Sequence, residues 1–98
     1  MARRLEFHPE ARAELLSAID RYELLRPGLG ASFLSAVQSA AQHSIDWPDA
    51  GAPVGATLRR VFVRRFPYYL LYAPEGDRLL IVAVGHFRRH PTFWSDRG

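Results

Sequence analysis

The sequence predicts an α+β domain in which two antiparallel helices pack on a small, mainly antiparallel sheet. Two observations predict this class. Apolar residues recur at helical spacing between residues 9 and 45, and after residue 57 the chain changes to segments rich in Val, Ile, Tyr and Phe, which favour strands. A chain of 98 residues has enough material for one hydrophobic core, so residues 1–98 are expected to form a single domain.

A short N-terminal strand and a first helix are predicted in residues 5–25. The strand covers residues 5–7 and stops at His8. Pro9 suits the first position of a helix because its missing N–H would have no partner there, and Glu10 favours the positive end of the helix dipole. An apolar stripe at spacings of four, three and three residues follows, formed by Leu15, Ile19, Tyr22 and Leu25.

The second helix follows a break at residues 26–30, where Arg-Pro-Gly-Leu-Gly should end the first. Its apolar stripe consists of Leu29, Phe33, Ala36, Val37 and Ala40. Trp47-Pro48 and a Gly- and Pro-containing loop to residue 56 end it, so the two helices should be antiparallel. Residues 27–45 carry no charge, but four serines, two glutamines and a histidine make them too polar to span a membrane, and no membrane partner is expected.

Three strands are predicted after the loop, over residues 58–66, 68–73 and 78–88. The last two should form a hairpin, because Ala-Pro-Glu-Gly at residues 73–76 has Pro and Gly at the positions that a type I turn prefers. Residues 79–84 are apolar without alternation, which indicates an interior strand covered on both faces. A short helix near Pro91 is expected to complete the domain.

Basic charge is concentrated in the second half of the chain. All 13 basic residues are arginine; residues 1–50 contain five of them with seven acids, whereas residues 51–98 contain eight with three acids. Arginine stays protonated at physiological pH and binds carboxylates and phosphates in a two-pronged geometry. The C-terminal half should therefore attract an acidic or phosphate-bearing partner, and it is poorly suited to proton transfer.

Most signatures of enzymes and metal sites are missing from the sequence. The chain contains no cysteine, which excludes disulfides, thiolate nucleophiles and sulfur-ligated zinc, and no lysine, which a phosphate-binding P-loop requires. His86 and His90 are four residues apart, but this spacing forms a metal site only on a helix, and His86 is predicted to end a strand. We therefore expect no metal and no cofactor. No apolar segment follows the charged start, so a cytoplasmic location is expected.

A basic surface interleaved with aromatic side chains is predicted on the sheet. Arg59-Arg60 and Arg64-Arg65 bracket residues 61–63, and strand alternation places Arg59 with Arg65 on one face and Arg60 with Arg64 on the other. The neighbouring strands add Tyr68, Tyr69, Tyr72, His86, Arg88 and Arg89. Such a surface can hold single-stranded nucleic acid by stacking and charge, or its arginines can be solvated strand ends and its tyrosines packing residues.

Cleavage of RNA would require more than this surface offers. The reaction needs a base for the 2′-hydroxyl, an acid for the leaving oxygen and cations for the developing charge, and arginine supplies only the cations. His86 is the candidate acid or base, with Glu75 or Asp49 as a distant partner. A single histidine at a strand end is more often structural than catalytic.

The order of these elements and several motifs resemble the RelE/ParE superfamily of type II toxin–antitoxin toxins. The most specific motifs are Arg-Phe-Pro-Tyr at residues 65–68 and the His-x-x-Arg-x-Pro-x-x-Trp ending at residues 86–94, and the likeness covers nearly the whole chain. The resemblance implies one of two activities: RelE-like members cleave messenger RNA in the ribosome, and ParE-like members poison DNA gyrase. The absence of lysine departs from the lysine-based nuclease pattern, and the ending is similar to that of ParE-like toxins.

The resemblance implies that the protein is a toxin that poisons DNA gyrase. It also implies that a cognate antitoxin neutralises this toxin in a hetero-oligomeric complex. The predicted target-binding residues are Arg59, Arg60, Arg64, Arg65, Arg88, Arg89 and Arg97. The predicted antitoxin contacts are Leu29, Phe33, Val37 and Trp94. Two alternatives stay open: a ribosome-dependent mRNA endoribonuclease that uses His86 with Arg60 or Arg65, and a non-toxic module that only binds the antitoxin.

Overall fold

The computed structural model describes residues 3–97, which form two helices and one five-stranded mixed sheet. The helices are α1 (Pro9–Leu25) and α2 (Leu29–Asp46), and the strands are β1 (Arg4–Phe7), β2 (Ala52–Val54), β3 (Leu58–Val63), β4 (Tyr68–Glu75) and β5 (Arg78–His86). The strand order is β1-β5-β4-β3-β2, with β1 parallel to β5 and the other neighbouring pairs antiparallel. The predicted α+β class with a helical hairpin is confirmed. Residues 1, 2 and 98 of the predicted domain lie outside the described residues.

Local sequence signals set the start and the end of α1. A proline occupies its first turn, as predicted, and the His8 Nδ1 atom accepts a hydrogen bond from the Glu10 N–H (3.1 Å). This bond satisfies one of the backbone donors that a helix start leaves free. Near the other end, the Glu23 carboxylate accepts from the N–H groups of Gly28 and Gly30 (3.1 Å each). The last turns of α1 are thereby tied to the first turn of α2.

The main core lies between the helical hairpin and one face of the sheet. Burial of each large apolar side chain contributes roughly 1.5–3 kcal/mol. The Tyr72 hydroxyl donates to the Pro48 carbonyl (2.9 Å) and accepts from the Gly51 N–H (3.1 Å), so this core also holds the loop that follows α2. The buried residues of this core are Ala11, Leu15 and Ala18 of α1, Phe33, Val37, Ala40 and Ala41 of α2, and Val63, Tyr68, Leu70, Tyr72, Leu79, Ile81 and Val84 of the sheet.

A β-bulge in β5 changes which of its residues face the helices. Tyr72 pairs with Ile81 and Leu71 pairs with Ala83, so Val82 is an extra residue in β5. Val82 and Ala83 therefore both belong to a second cluster on the face away from the helices, whereas the residues on either side of them belong to the main core. The bulge thus gives β5 apolar contacts on both faces of the sheet.

The interior position predicted for residues 79–84 is confirmed. This stretch lies in β5, between β1 and β4, and it is covered by the helical hairpin on one face. Phe93 and Trp94, from the segment after β5, pack on the second cluster and cover the other face. The apolar run without alternation reflects this double coverage.

The predicted C-terminal helix near Pro91 is wrong. The segment after β5 instead forms successive turns, in which the N–H of Arg89, Phe93, Ser95 and Arg97 each bonds to the carbonyl three residues earlier. Residues 91–96 are too few to form a stable helix alone, and Thr, Phe, Trp, Ser and Asp have only modest helix propensity. Contacts of their side chains with the sheet determine the path of this segment.

The strands after α2 number four in the described chain, where the sequence predicted three. The additional strand, β2, lies in the predicted loop and pairs antiparallel with β3, and its Pro53 is tolerated because β2 is an edge strand. β3 ends three residues earlier than predicted because Arg65 adopts a φ of 73° in the turn to β4. β4 is two residues longer than predicted and β5 two residues shorter.

Candidate functional site

An arginine and three aromatic side chains form a cluster on the sheet face away from the helices. We call this cluster, Arg60, Phe62, Tyr69 and Phe87, the platform. Phe62 pairs with Tyr69 across β3 and β4, and the Phe87 ring stacks on Tyr69 at 6.4 Å and meets Phe62 edge-on at 5.6 Å. Phe62 and Phe87 are 57% and 55% exposed. Adjoining large apolar side chains that are exposed to solvent are a common feature of interaction surfaces.

The Arg60 guanidinium lies over the platform. Its central carbon is 5.3 Å from the centre of the Phe62 ring and 6.0 Å from the centre of the Tyr69 ring, which is within the range of cation–π attraction. Burial raises the pKa of the Tyr69 phenol above its ordinary value, against a smaller lowering by Arg60. Tyr69 is therefore neutral at physiological pH, and the charge of the platform is the positive charge of Arg60.

Gly85 allows the Tyr69 ring to lie across β5. The two residues pair between β4 and β5, and a Cβ atom on Gly85 would be 2.7 Å from the Tyr69 Cζ atom. Carbon atoms in a packed protein do not approach this closely, so any side chain at this position would displace the ring. Because Phe87 stacks on that ring, Gly85 also positions the exposed end of the platform.

Glu14 joins the segment after β5 to α1, although the sequence analysis did not single it out. Its carboxylate accepts hydrogen bonds from both Nη atoms of Arg97 (2.8 Å each), from Arg89 (2.9 Å) and from the Val84 N–H (3.1 Å). Arg97 also donates to the Val82 carbonyl (3.2 Å). The Val84 N–H and the Val82 carbonyl lie on the part of the β5 edge that β1 does not reach. Glu14 and Arg97 therefore provide the hydrogen-bond partners of these two backbone groups. No local pattern reveals this, because the partners of Glu14 are 70 to 83 residues away in sequence.

Arg97 is an internal support, and its prediction as a target contact is corrected. Its side chain is 5% exposed and that of Glu14 is 13% exposed. The hydrogen bonds that Arg97 donates to Glu14 are the main cause that raises the pKa of Arg97 above its ordinary value. Arg89 pairs with the same carboxylate and lies 4.1 Å from the Phe93 ring centre. Its side chain nevertheless remains half-exposed, so a partner could still contact it.

The remaining predicted target-binding arginines lie on three different surfaces. Arg59 donates to two carbonyl groups of the loop before β2 (2.8 and 2.9 Å), so it holds that loop. Arg64 and Arg65 are exposed on the turn between β3 and β4, and the strand alternation predicted for them does not apply because β3 ends before them. Arg60 and Arg88 are exposed, Arg60 on the platform and Arg88 directly after Phe87.

A groove of about 990 Å³ runs between α2 and the turn from β3 to β4. Short side chains of α2 form much of one wall, and no acidic residue lines it. We call it the α2 groove. Its lining residues are Arg26, Leu29, Ser32, Ser35, Ala36, Ser39, Ala40, His43, Val61, Phe62, Arg64, Arg65 and Phe66. Small residues at helical spacing let another backbone approach closely, and the arginines make the groove positive.

The four predicted antitoxin contacts are divided between the surface and the core. Phe33 and Val37 are 0% and 1% exposed, so they are core residues and not partner contacts in this fold. The apolar stripe that identified them is the face of α2 that packs on the sheet. Leu29 lies on the wall of the α2 groove. Trp94 is half-buried on the second cluster, where its Nε1 donates to the Pro91 carbonyl (2.8 Å).

The family model described as "ParE toxin of type II toxin-antitoxin system, parDE" matches residues 5–91. The chain belongs to this ParE toxin family. The predicted resemblance to the ParE-like branch is therefore confirmed.

Two relatives are similar to the chain in sequence, and one solved structure is similar to it in fold. The chain is 29% identical over 96 residues to "Toxin ParE2" from two strains of Mycobacterium tuberculosis, CDC 1551 / Oshkosh and ATCC 25618 / H37Rv, with 94% of this chain and 89% of each relative covered. The structure described as "Chromosomal ParDE TA system from P. aeruginosa" matches with a TM-score of 0.75 and 18% identity, over 87% of this chain and 96% of that chain. At this identity the match supports the ParE fold alone.

In this ParE-family chain, the residues of the alternative nuclease are not brought together. His86 faces the helix side of the sheet, Arg60 faces the opposite side, and Arg65 lies on the turn beside the α2 groove. Glu75 and Asp49, considered as partners of His86, each lie near an arginine instead. The predicted combination of His86 with Arg60 or Arg65 therefore does not form a single site of the kind that phosphodiester cleavage requires.

Residues 3–97 also show no arrangement of three His, Cys, Asp or Glu side chains that could hold a metal ion. Within the same residues, neither helix has both the length and the apolar character needed to cross a membrane.

Proposed function

We propose that this ParE-family chain stops growth by binding DNA gyrase and is held inactive by a cognate antitoxin. Membership of the toxin family supports the first half of this proposal, and the platform is the single observation that supports its mode of action. Arginine and aromatic residues, phenylalanine included, are enriched at protein interfaces, and arginine and tyrosine are among the residues that most often dominate the binding energy there. Phe62 and Phe87 have solvent-exposed rings that a partner protein would bury.

The platform is suited to binding and not to acid–base chemistry. None of its four residues is a His, Asp or Glu, and guanidinium groups do not exchange protons at physiological pH. The phenol of Tyr69 is neutral, and its side chain is largely buried. The positive charges of Arg60 and the nearby Arg88 favour an acidic patch on the target.

The α2 groove is the proposed site of the antitoxin. Its α2 wall of serine and alanine permits close approach of a helix or an extended segment, and Arg26, Arg64 and Arg65 would pair with carboxylates. Leu29 would contact the apolar side of that segment. An antitoxin that folds on binding to this groove would lie along the helical hairpin, beside the platform.

A supercoiling assay with purified gyrase tests the proposed target. We expect the unmodified protein to inhibit supercoiling, and the double variant Arg60→Ala with Phe87→Ala to require at least about tenfold more protein for the same inhibition, because loss of central interface residues costs about 2 kcal/mol or more. The matched control is Arg12→Ala with Leu24→Ala. It removes one exposed arginine and one apolar side chain that is 88% exposed, both on α1 and away from the platform.

The control variant should inhibit as well as the unmodified protein does. Intact supercoiling together with cleavage of translated mRNA would contradict the gyrase proposal and favour the nuclease. Equal loss of inhibition in the platform and control variants would remove the platform from the proposal. Induced expression that leaves colony counts unchanged would instead support a non-toxic antitoxin-binding module.

A further inference from the structure

A pocket of about 340 Å³ lies between α1 and the end of β5, on the helix side of the sheet. It is separate from the platform and from the α2 groove. Its volume is near the lower end of the range of roughly 300–1,000 Å³ that is typical of small-molecule sites. We call it the α1 pocket, and its polar lining residues are Glu14, Ser17, Arg21, Tyr68, His86 and Arg89.

The hydrogen bonds within the α1 pocket leave the protons of two hydroxyl groups and of one imidazole nitrogen available to a ligand. Arg21 donates to the Tyr68 hydroxyl (2.7 Å) and to the Ser17 hydroxyl (3.1 Å), so both oxygens accept from the guanidinium. Each hydroxyl proton then remains for another acceptor. His86 Nδ1 accepts from the Arg88 N–H (3.0 Å), which places the proton of the neutral imidazole on Nε2.

The acidic side chain of the lining, Glu14, is already neutralised. Its carboxylate is paired with Arg89 (2.9 Å) and with Arg97 (2.8 Å). None of the salt bridges formed within residues 3–97 involves Arg21, although its side chain is ordered by the two hydroxyl groups. The pocket therefore presents positive charge and hydrogen-bond donors without a free carboxylate to oppose an anion.

Packing fixes the position of the central donor before any ligand arrives. Tyr68 is buried, and its ring meets Phe33 edge-on at 4.9 Å, Tyr22 at 6.1 Å and His86 at 5.1 Å. A hydroxyl held in this way loses little conformational entropy when it donates to a ligand. The same contact orients the His86 ring beside it.

We propose that the α1 pocket binds a phosphate-type oxyanion, either free phosphate or the phosphate monoester of a nucleotide. The donors come from three directions: α1 supplies Ser17 and Arg21, the sheet supplies Tyr68 and His86, and the segment after β5 supplies Arg89. A tetrahedral oxyanion accepts hydrogen bonds from several directions at once, whereas a carboxylate accepts mainly in one plane. This site does not depend on gyrase binding or on the platform.

Calorimetric titration tests the proposal with inorganic phosphate, adenosine monophosphate and adenosine, all at a constant ionic strength set with chloride. We expect saturable binding of phosphate or of the monophosphate, and none of adenosine. Arg21→Gln should weaken that binding at least about tenfold, because hydrogen bonds to charged groups are the stronger class. Arg12→Gln removes the same charge from the same helix outside the pocket and should leave the affinity unchanged.

The pattern of binding distinguishes the sources of the phosphate. Binding of both ligands indicates a site for the phosphate group itself, and preference for the monophosphate indicates a nucleotide site. Ser17→Ala leaves the Arg21 charge in place and should also weaken phosphate binding. It replaces Arg21→Gln as the test variant if Arg21→Gln does not unfold cooperatively and so is not correctly folded. Absence of saturable binding by the unmodified protein, or equal weakening in the Arg21 and Arg12 variants, would overturn the proposal.

Discussion

Each arginine in this chain has a role that depends on what its guanidinium contacts. Arg97 is enclosed by Glu14 and a backbone carbonyl, Arg59 holds the loop before β2, and Arg60 lies over aromatic rings. The clustering of arginine was visible in the sequence, but the division between internal and exposed roles was not. That division depends on acids and carbonyl groups that the fold brings from distant parts of the chain.

Substitution of Gly85 tests how tightly the platform is supported. Gly85→Ala should lower the free energy of unfolding by about 1–3 kcal/mol, because the new methyl group would displace the buried Tyr69 ring. For a domain of this size, each kcal/mol corresponds to a change of about 4–8 °C in Tm. Thermal unfolding followed by circular dichroism measures the effect.

A double-mutant cycle provides the control for Gly85. In a Tyr69→Ala background the added methyl group has no ring to displace, so Gly85→Ala should cost much less there. An equal cost in both backgrounds would show that the strain lies in the backbone and not in the contact with Tyr69.

At the level of secondary-structure elements, the helices were predictable and the edges of the sheet were not. Pro9 and the Pro27-Gly28 pair act on the backbone next to them. They therefore make the start of α1 and the break between α1 and α2 predictable from the local sequence. β2 depends on pairing with β3, and the turns around Pro91 depend on packing against the sheet. Local propensity carries no information about either contact.

The attachment of the C-terminal segment to α1 gives a second stability prediction. Glu14→Gln should lower the free energy of unfolding by about 3 kcal/mol, because it leaves the buried Arg97 with only the more exposed Glu10 carboxylate as a counter-charge. Urea denaturation measures this loss. The comparison variant is Glu6→Gln, which breaks a similar pair with Arg78 whose side chains are more than a third exposed.

The loss of unfolding free energy caused by each of the two Glu→Gln substitutions should therefore be larger for the more buried carboxylate. Glu6→Gln is expected to cost far less than Glu14→Gln, since solvent screens the exposed pair. If the two substitutions cost the same, the Glu14–Arg97 pair does not anchor the segment after β5.

Across the whole molecule, the proposed partners are assigned to two surfaces that adjoin at Phe62, which belongs to the platform and also lines the α2 groove. Arg64→Glu with Arg65→Glu reverses the charge at the α2 groove and should weaken antitoxin binding at least about tenfold, with gyrase inhibition retained. Phe87→Ala, on the platform, should weaken gyrase inhibition and leave antitoxin binding unchanged. Pull-down titration with the antitoxin and the supercoiling assay measure the two effects on the same preparations.

The expected separation fails if both variants lose both activities. In that case the antitoxin and the target would share one surface, and the assignment of the groove and the platform to different partners would be wrong. The predicted fold class would be unaffected, because it depends on the helical hairpin and the sheet and not on their surfaces.

The parallel pairing of β1 with β5 has a consequence for how the protein is made. Leu5 lies beside Leu79, so β1 cannot take its place in the sheet until β5 has been synthesised and has left the translating ribosome. A nascent chain that stops before Phe87 has both helical segments but lacks part of the platform. Under the proposed function, a chain interrupted before Phe87 should therefore not inhibit the target.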